Sequence, residues 1–234
     1  MSRHAIVSRD EWLVARAQLL EREKAFTRER DALSAARREL PWVRVDKRYT
    51  FDSDAGTQTL ADLFGACSQL IVYHFMYGPD WDEGCPSCSW WADDYDGIDI
   101  HLRHRDISFK TVSRAPLATL QAYKQRMGWR FDWVSSYNSD FNADFHVSFT
   151  PEQMAGEVYY NYRMGSFPAD EAPGISVFCR DDSGEVFHTY SCYARGLDML
   201  NGSYHYMDLA PKGRDEDALE WSMQWLRRRD QYSD

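Results

Sequence analysis

No stretch of the chain approaches the roughly 18 consecutive apolar residues that a membrane span needs, so the sequence offers no membrane-spanning candidate. Residues 1–7 lack the apolar run of a signal peptide, which makes a cytoplasmic location the expectation. There is no glycine-rich phosphate loop and no Gly-x-Ser-x-Gly nucleophile elbow. Positive charge is in short supply. Lys and Arg number 27 against 37 Asp and Glu, a net charge of −10, which argues against nucleic acid as the main partner. Cysteine is scarce too, and its count of five is odd. That is too few for a disulfide scaffold; in a cytosolic chain a close pair points first to redox chemistry or metal. What is plentiful is apolar and aromatic material. Hydrophobic residues make up 44% and aromatics 15%, with nine Trp, so the 234 residues can bury a sizeable core.

Charge divides the chain. Residues 1–48 carry twelve basic and eight acidic residues, whereas the remainder is strongly acidic. This predicts an N-terminal arm, 1–48, on an acidic domain, 49–234. The arm reads as helix. Ser8 and Glu11 have the spacing of a capping box. Trp12, Leu19, Phe26, Leu33 and Leu40 recur every seven residues along one face, and Pro41 ends the run. The position three or four later holds Ala, Arg or Glu, so a true coiled coil is not expected. The arm is instead expected to lie on the domain or on a second subunit of a homodimer.

Beyond the arm, strand and helix signals alternate. Arg48–Phe51 is a short strand, and 57–64 a turn with a short helix. Leu70-Ile71-Val72-Tyr73-His74-Phe75-Met76 is apolar on both faces, as a central parallel strand is. A helix is expected from Pro86, strands over 107–112 and 131–134, and a helix over 116–127 closed by Gly128. Strands 175–179 and 185–191 flank the turn Asp181-Asp182-Ser183-Gly184 as a β-hairpin. Residues 136–172, rich in Asn, Asp, Tyr and Phe, read as an insertion. Residues 215–229 read as a final helix, with acids early and Arg227-Arg228-Arg229 late. The order implies a mixed sheet covered by helices on both faces.

The chemistry concentrates at Cys85-Pro86-Ser87-Cys88, between the central strand and the helix that follows. Cys85 would sit at the helix N-terminus, where unpaired N–H groups favour a thiolate. Cys88, one turn in, would resolve a mixed disulfide made by Cys85. Pro86 fits the first helical position, which needs no N–H. Asp80, Asp82, Glu83, Asp93, Asp94 and Asp96 crowd this motif, with no Lys or Arg between Phe75 and Leu102. Carboxylates raise a thiol pKa and a helix terminus lowers it, and the plainer expectation is that each acid points to solvent. Trp81, Trp90 and Trp91 bracket the cysteines and are candidates to wall a substrate pocket, with core or interface packing as the alternative. His74, on the central strand, is expected to be a hydrogen-bonded core residue. Cys67, Cys179 and Cys192 read as buried thiols without disulfides.

Cys85-x2-Cys88-x12-His101-x2-His104 comes within one residue of a two-Cys, two-His zinc spacing. A structural zinc site is therefore a lower-ranked alternative; otherwise His101 and His104 belong on the surface and no cofactor is expected.

Residues 60–191 resemble a thioredoxin-like domain with peroxiredoxin features. The stretch Met76-Tyr77-Gly78-Pro79-Asp80-Trp81-Asp82-Glu83-Gly84-Cys85-Pro86-Ser87-Cys88-Ser89-Trp90-Trp91-Ala92-Asp93-Asp94-Tyr95-Asp96-Gly97 resembles the signature of a bacterial thioredoxin-like family catalogued as domain of unknown function 899. Val112-Ser113-Arg114-Ala115-Pro116-Leu117 and Tyr193-Ala194-Arg195-Gly196-Leu197-Asp198 resemble it too. The resemblance implies a three-layer α/β sandwich, with an N-terminal helical arm and a C-terminal helix. It also implies a cis-proline facing the cysteines, and Pro173 is the position that matches. The activity implied is thiol–disulfide exchange with a dithiol or disulfide protein or a small thiol. A peroxiredoxin-like peroxidase ranks lower. It needs a Thr three residues before the attacking Cys, and Asp82 or Cys85 stands there; Arg114 or Arg163 would have to hold the peroxide. A non-catalytic binding or assembly protein is the remaining alternative.

Overall fold

The computed structural model describes residues 4–233. It divides after Pro41 into two compact units.

The first unit is one long helix, α1 (Arg9–Arg38). The capping box forms: the Ser8 hydroxyl accepts the Glu11 N–H at 3.3 Å, and the Glu11 carboxylate accepts the Ser8 N–H at 2.9 Å. Asp10 and Glu11 in the first turn and Arg37 and Arg38 in the last complement the helix dipole. No residue of α1 is buried, and Trp12, Leu19, Phe26 and Leu33 all stand exposed.

The second unit begins with β1 (Val43–Arg44), β2 (Thr50–Ser53) and β3 (Gly56–Thr59). A single 3-10 turn leads to β4 (Gln69–His74). Then come α2 (Pro86–Tyr95), α3 (Asp99–Arg103), β5 (Ile107–Ser113), α4 (Leu117–Met127) and β6 (Trp133–Ser135). The insertion supplies α5 (Phe141–Asp144), α6 (Pro151–Met154), β7 (Val158–Tyr160) and β8 (Arg163–Gly165). It is followed by β9 (Gly174–Arg180), β10 (Val186–Tyr193) and α7 (Gly202–Leu209). The main sheet runs β1-β10-β9-β4-β5-β6-β2-β3. β4, β5 and β6 are parallel; on the other side of β4, β9 runs antiparallel to it and β10 antiparallel to β9. The result is a mixed sheet flanked by helices, with the strand that precedes the cysteines at its centre.

Period-2 alternation along β4 separates two cores. Tyr73 and, just beyond the strand, Phe75 face Trp91, Tyr95, Leu120 and Tyr123 of α2 and α4. Leu70 and Val72 face Leu63, Phe64, Phe141 and Phe178 on the opposite side. Both faces are covered, which is why the β4 sequence is apolar without alternation. Gly128 closes α4 in the left-handed region at φ +69, as its position predicts.

The final helix expected over 215–229 does not form. Asp215 and Met223 have positive φ, and α7 is the last helix among the described residues. The segment folds instead around the Glu216 carboxylate. That group accepts the Tyr204 hydroxyl at 3.1 Å, the Met223 N–H at 2.8 Å and the Trp225 indole N–H at 2.7 Å. Helical spacing of charge is a local signal, and a carboxylate that takes backbone and side-chain donors from several positions overrides it. The insertion builds its own small core from Val147, Phe149, Val158 and Tyr160, with Asn161 and Tyr162 at positive φ in the β7–β8 turn. Among the described residues, no helix is long and apolar enough to cross a membrane.

Candidate active site

β4 delivers the chain to the centre of the sheet edge, and a short loop returns it. The Cys85 N–H donates to the Met76 carbonyl at 3.0 Å, closing that loop. Gly84 lies wedged under Phe75 and Tyr123. A β-carbon there would come within 2.8 Å of the Phe75 ring, so only glycine brings Cys85 this close to β4. Cys85 is the N-cap of α2 and Pro86 its first residue. The Cys85 carbonyl accepts both the Ser89 N–H at 2.9 Å and the Ser89 hydroxyl at 2.8 Å, which fixes the helix start.

The two sulfurs have different surroundings. Cys85 is half-buried, whereas Cys88 is 1% exposed and takes a hydrogen bond from the Met76 N–H at 3.4 Å. The Cys88 thiol, the Cys88 and Ser87 N–H groups and the Arg228 charge all stabilise a Cys85 thiolate. Against the opposing effect of burial, they bring it down to about 7. Cys88 moves the other way. Burial and its bond to Cys85 push it well above the usual thiol range. The pair is thus asymmetric, with the thiolate favoured on Cys85, the less buried of the two residues. None of the five cysteines forms a disulfide. Cys179 lies opposite Phe187 and Cys192 opposite Ile175, so those two do not face each other.

Arg228 is the residue the sequence did not place here. Its guanidinium donates to the Gly84 carbonyl at 2.6 and 3.1 Å, reaches the Tyr123 hydroxyl at 2.8 Å and pairs with Glu83 at 2.8 Å. The Arg227-Arg228-Arg229 run was visible, but its spacing suggested a helix end. Only the fold shows that it returns to the cysteine loop.

Four of the six nearby acids do not simply face solvent, which corrects the expectation for them. Glu83 pairs with Arg126 and Arg228. Asp93 accepts the Trp129 indole N–H at 2.7 Å and lies 3.3 Å from Arg229. Asp94 accepts the Ser203 hydroxyl at 3.1 Å, and Asp96 the Arg130 N–H at 2.8 Å. Asp80 and Asp82 are exposed, as expected. The acids are thus either spent on partners or solvated.

A cavity of about 580 Å3 adjoins the cysteines, with Trp91 and Pro173 in its wall. The Trp91 indole N–H donates to the Leu197 carbonyl at 3.1 Å. Trp81 and Trp90 lie outside this wall. Trp81 donates to Asp170 at 3.0 Å, and Trp90 stacks edge-on with Tyr204 and Trp225 at 4.6 and 5.3 Å. Pro173 lines the same cavity as the pair, but the expected cis bond is not there: no peptide among the described residues is cis. The approach is held by the Ser148–Glu171 bridge and by the Ala172 N–H on the Val147 carbonyl at 2.9 Å, and the Pro173 peptide is trans. The Pro173 carbonyl accepts the Tyr160 hydroxyl at 2.7 Å.

His101 lies on α3 and His104 at its end, beyond the break at Gly97. Among the described residues, no three His, Cys, Asp or Glu side chains are grouped to hold a metal. His74 is a buried core residue whose Nε2 lies 2.9 Å from the Ser176 hydroxyl; burial brings it down to about 3. Arg114 pairs with Glu171 at 3.0 Å, and Arg163 is exposed on β8. Glu171 is 1% exposed. Burial pushes its carboxyl up to about 7, against Arg114 and the Ser148 hydroxyl, which donates at 2.6 Å.

No curated protein sequence matches the chain. Among solved structures it is similar to a cysteine mutant of peroxiredoxin Q from Xanthomonas campestris, with 16% identity and a TM-score of 0.45 over 72% of this chain and 96% of that one. The peroxidoxin BcpB from Mycobacterium tuberculosis aligns at 10% identity and a TM-score of 0.46, over 70% and 95% of the two chains. A putative thiol:disulfide interchange protein DsbE from Chlorobium tepidum aligns at 10% identity and 0.39, over 70% and 98%. The model of one protein family, described as "Bacterial protein of unknown function (DUF899)", matches residues 1–232, and the chain belongs to that family.

Proposed function

We propose that the chain is a thiol–disulfide oxidoreductase whose working group is the Cys85–Cys88 dithiol. The observation that carries this is the asymmetry of the two sulfurs. Cys85, the less buried of the two, is held toward thiolate at a helix N-terminus, and the buried Cys88 is held as thiol. Cys85 attacks one sulfur of a substrate disulfide and the other leaves as thiolate. Cys88 then gives up its proton and attacks the Cys85 sulfur, releasing the second substrate thiol and leaving a Cys85–Cys88 disulfide. A dithiol protein or a small thiol returns the pair to the reduced state, and the cycle needs no metal or organic cofactor. Pro173 and Trp91 line the approach to Cys85 and position the substrate.

A redox titration tests this, with thiols trapped by alkylation and read by mass. A reversible two-electron transition of the pair between roughly −120 and −270 mV is expected. Two thiols that stay reduced across the accessible range would refute the reading.

Assembly through α1 is a second reading that does not compete with the first. It is favoured by a helix without a single buried residue whose apolar side chains repeat along one face. A second copy of the same helix is the partner proposed.

A further inference from the structure

The cavity at Cys85 has a chemistry of its own. Trp91, Phe167, Pro173, Leu197, Met223 and Leu226 wall it, from α2, the insertion, the start of β9, the turn after β10 and the C-terminal segment. Its volume of about 580 Å3 is that of a small-molecule site. The charged groups at its margin are already matched. Arg195 lies 2.9 Å from Asp198, which Arg214 also reaches at 3.1 Å. Among the described residues, the charged side chains of the cavity wall, Arg195 and Asp198, lie within ion-pair distance of each other.

The backbone beside it is partly engaged. An extended peptide docking against Pro173 would use its carbonyl or a neighbouring N–H. The Pro173 carbonyl already takes the Tyr160 hydroxyl on one side, proline has no N–H, and the Tyr160 oxygen in turn accepts the Ala194 N–H at 2.9 Å. The next residue, Gly174, stands in register with His74 inside the sheet.

We propose that the substrate of the dithiol is a small, uncharged, apolar disulfide bound within this cavity, rather than a protein disulfide or an anionic one. The proposal rests on the dithiol reading above. In the reaction R–S–S–R accepts two electrons. The Cys85 sulfur bonds to one substrate sulfur as the S–S bond breaks, and the departing RS− takes up a proton. The Cys88 thiol loses its proton and its sulfur displaces the second RS− from Cys85, which is protonated in turn. Two RSH and one Cys85–Cys88 disulfide result.

The test is a single-turnover oxidation of the reduced full chain, followed by alkylation and mass for Cys85 and Cys88. The probes are dipropyl disulfide, glutathione disulfide and insulin. Each rate is divided by that of free dithiothreitol with the same probe, which removes intrinsic reactivity. The expected normalised rate for dipropyl disulfide exceeds the other two by at least about tenfold, as burial of several methylene groups requires. In Met223→Gln that ratio shrinks by about threefold or more, because a polar group replaces part of the apolar wall. Equal normalised rates, or a preference for glutathione disulfide or insulin, would overturn this inference and leave the dithiol reading standing. Failure of all three probes to oxidise the pair would overturn the dithiol reading, and this inference with it.

Discussion

The guanidinium of Arg228 donates twice to the carbonyl of Gly84, the residue immediately before Cys85, from 144 positions away in sequence. That contact helps to hold the cysteine loop and brings a positive charge to a sulfur whose charged neighbours in sequence are all acidic.

Removing that charge makes Cys85 less acidic. Iodoacetamide labelling of Cys85 is expected to be half-maximal near pH 7, where burial is outweighed by Cys88, the helix N–H groups and Arg228. In Arg228→Gln the midpoint moves to higher pH, and in Arg228→Lys it moves less. The Gln variant also loses about 1–3 kcal/mol of stability by urea unfolding, since the Gly84 carbonyl is left without its charged donor. An unchanged labelling midpoint would remove Arg228 from the site.

The two cysteines are expected to fail differently. Cys85→Ser abolishes disulfide reduction and leaves the fold intact. Cys88→Ser still reacts, but stops at a mixed disulfide on Cys85 that intact-mass measurement detects. A Cys85→Ser protein with full activity would refute the assignment of the nucleophile.

The helix Pro86–Tyr95 and strand Gln69–His74 were legible because their signals are local. A continuous apolar run marks a strand covered on both sides, and Cys-Pro at the head of an amphipathic stretch marks a helix start. The C-terminal segment was not legible. Its acids and arginines have the spacing of a helix, yet Glu216 gathers Met223, Trp225 and Tyr204 from three places. Pro173 was placed beside the cysteines by resemblance, which gave the position but not the bond geometry, since the Pro173 peptide is trans. The tryptophans divided for the same reason. Trp91 shares the inner face of α2 with Cys88 and Tyr95, whereas Trp90 turns to Trp225, a residue no local pattern could bring near.

Glu171 makes stability depend on pH. Its folded carboxyl titrates at about 7 against an ordinary 4.5, chiefly through burial. Between those values the folded chain binds the extra proton. Raising the pH across this window therefore costs stability, on the order of 3 kcal/mol. His74, held down to about 3, contributes the opposite slope, with stability falling as pH drops below 6.5. The difference between wild type and Glu171→Gln isolates Glu171. The variant is expected to gain on wild type between pH 5 and pH 8 in urea midpoints, and a constant difference would refute this.

The exposed face of α1 predicts an oligomer. Light scattering of the full chain is expected to give a dimer, and Phe26→Glu with Leu33→Glu to halve its mass. Phe26 is 69% exposed, so the substitutions disturb no core. A mass that does not change would dismiss α1 as the contact.

The segment that supplies Arg228 also supplies Met223 and Leu226 to the cavity wall. Shelter and nucleophilicity therefore come and go together. Peeling the tail away would open the cavity to bulkier oxidants and, in the same movement, withdraw one of the groups that favour the Cys85 thiolate, after Cys88 and the helix N–H groups. With the tail in place the Cys85 thiolate is favoured, and the approach through the cavity is confined to molecules that fit it. Selectivity of this kind resides in admission rather than in recognition of any particular chemical group.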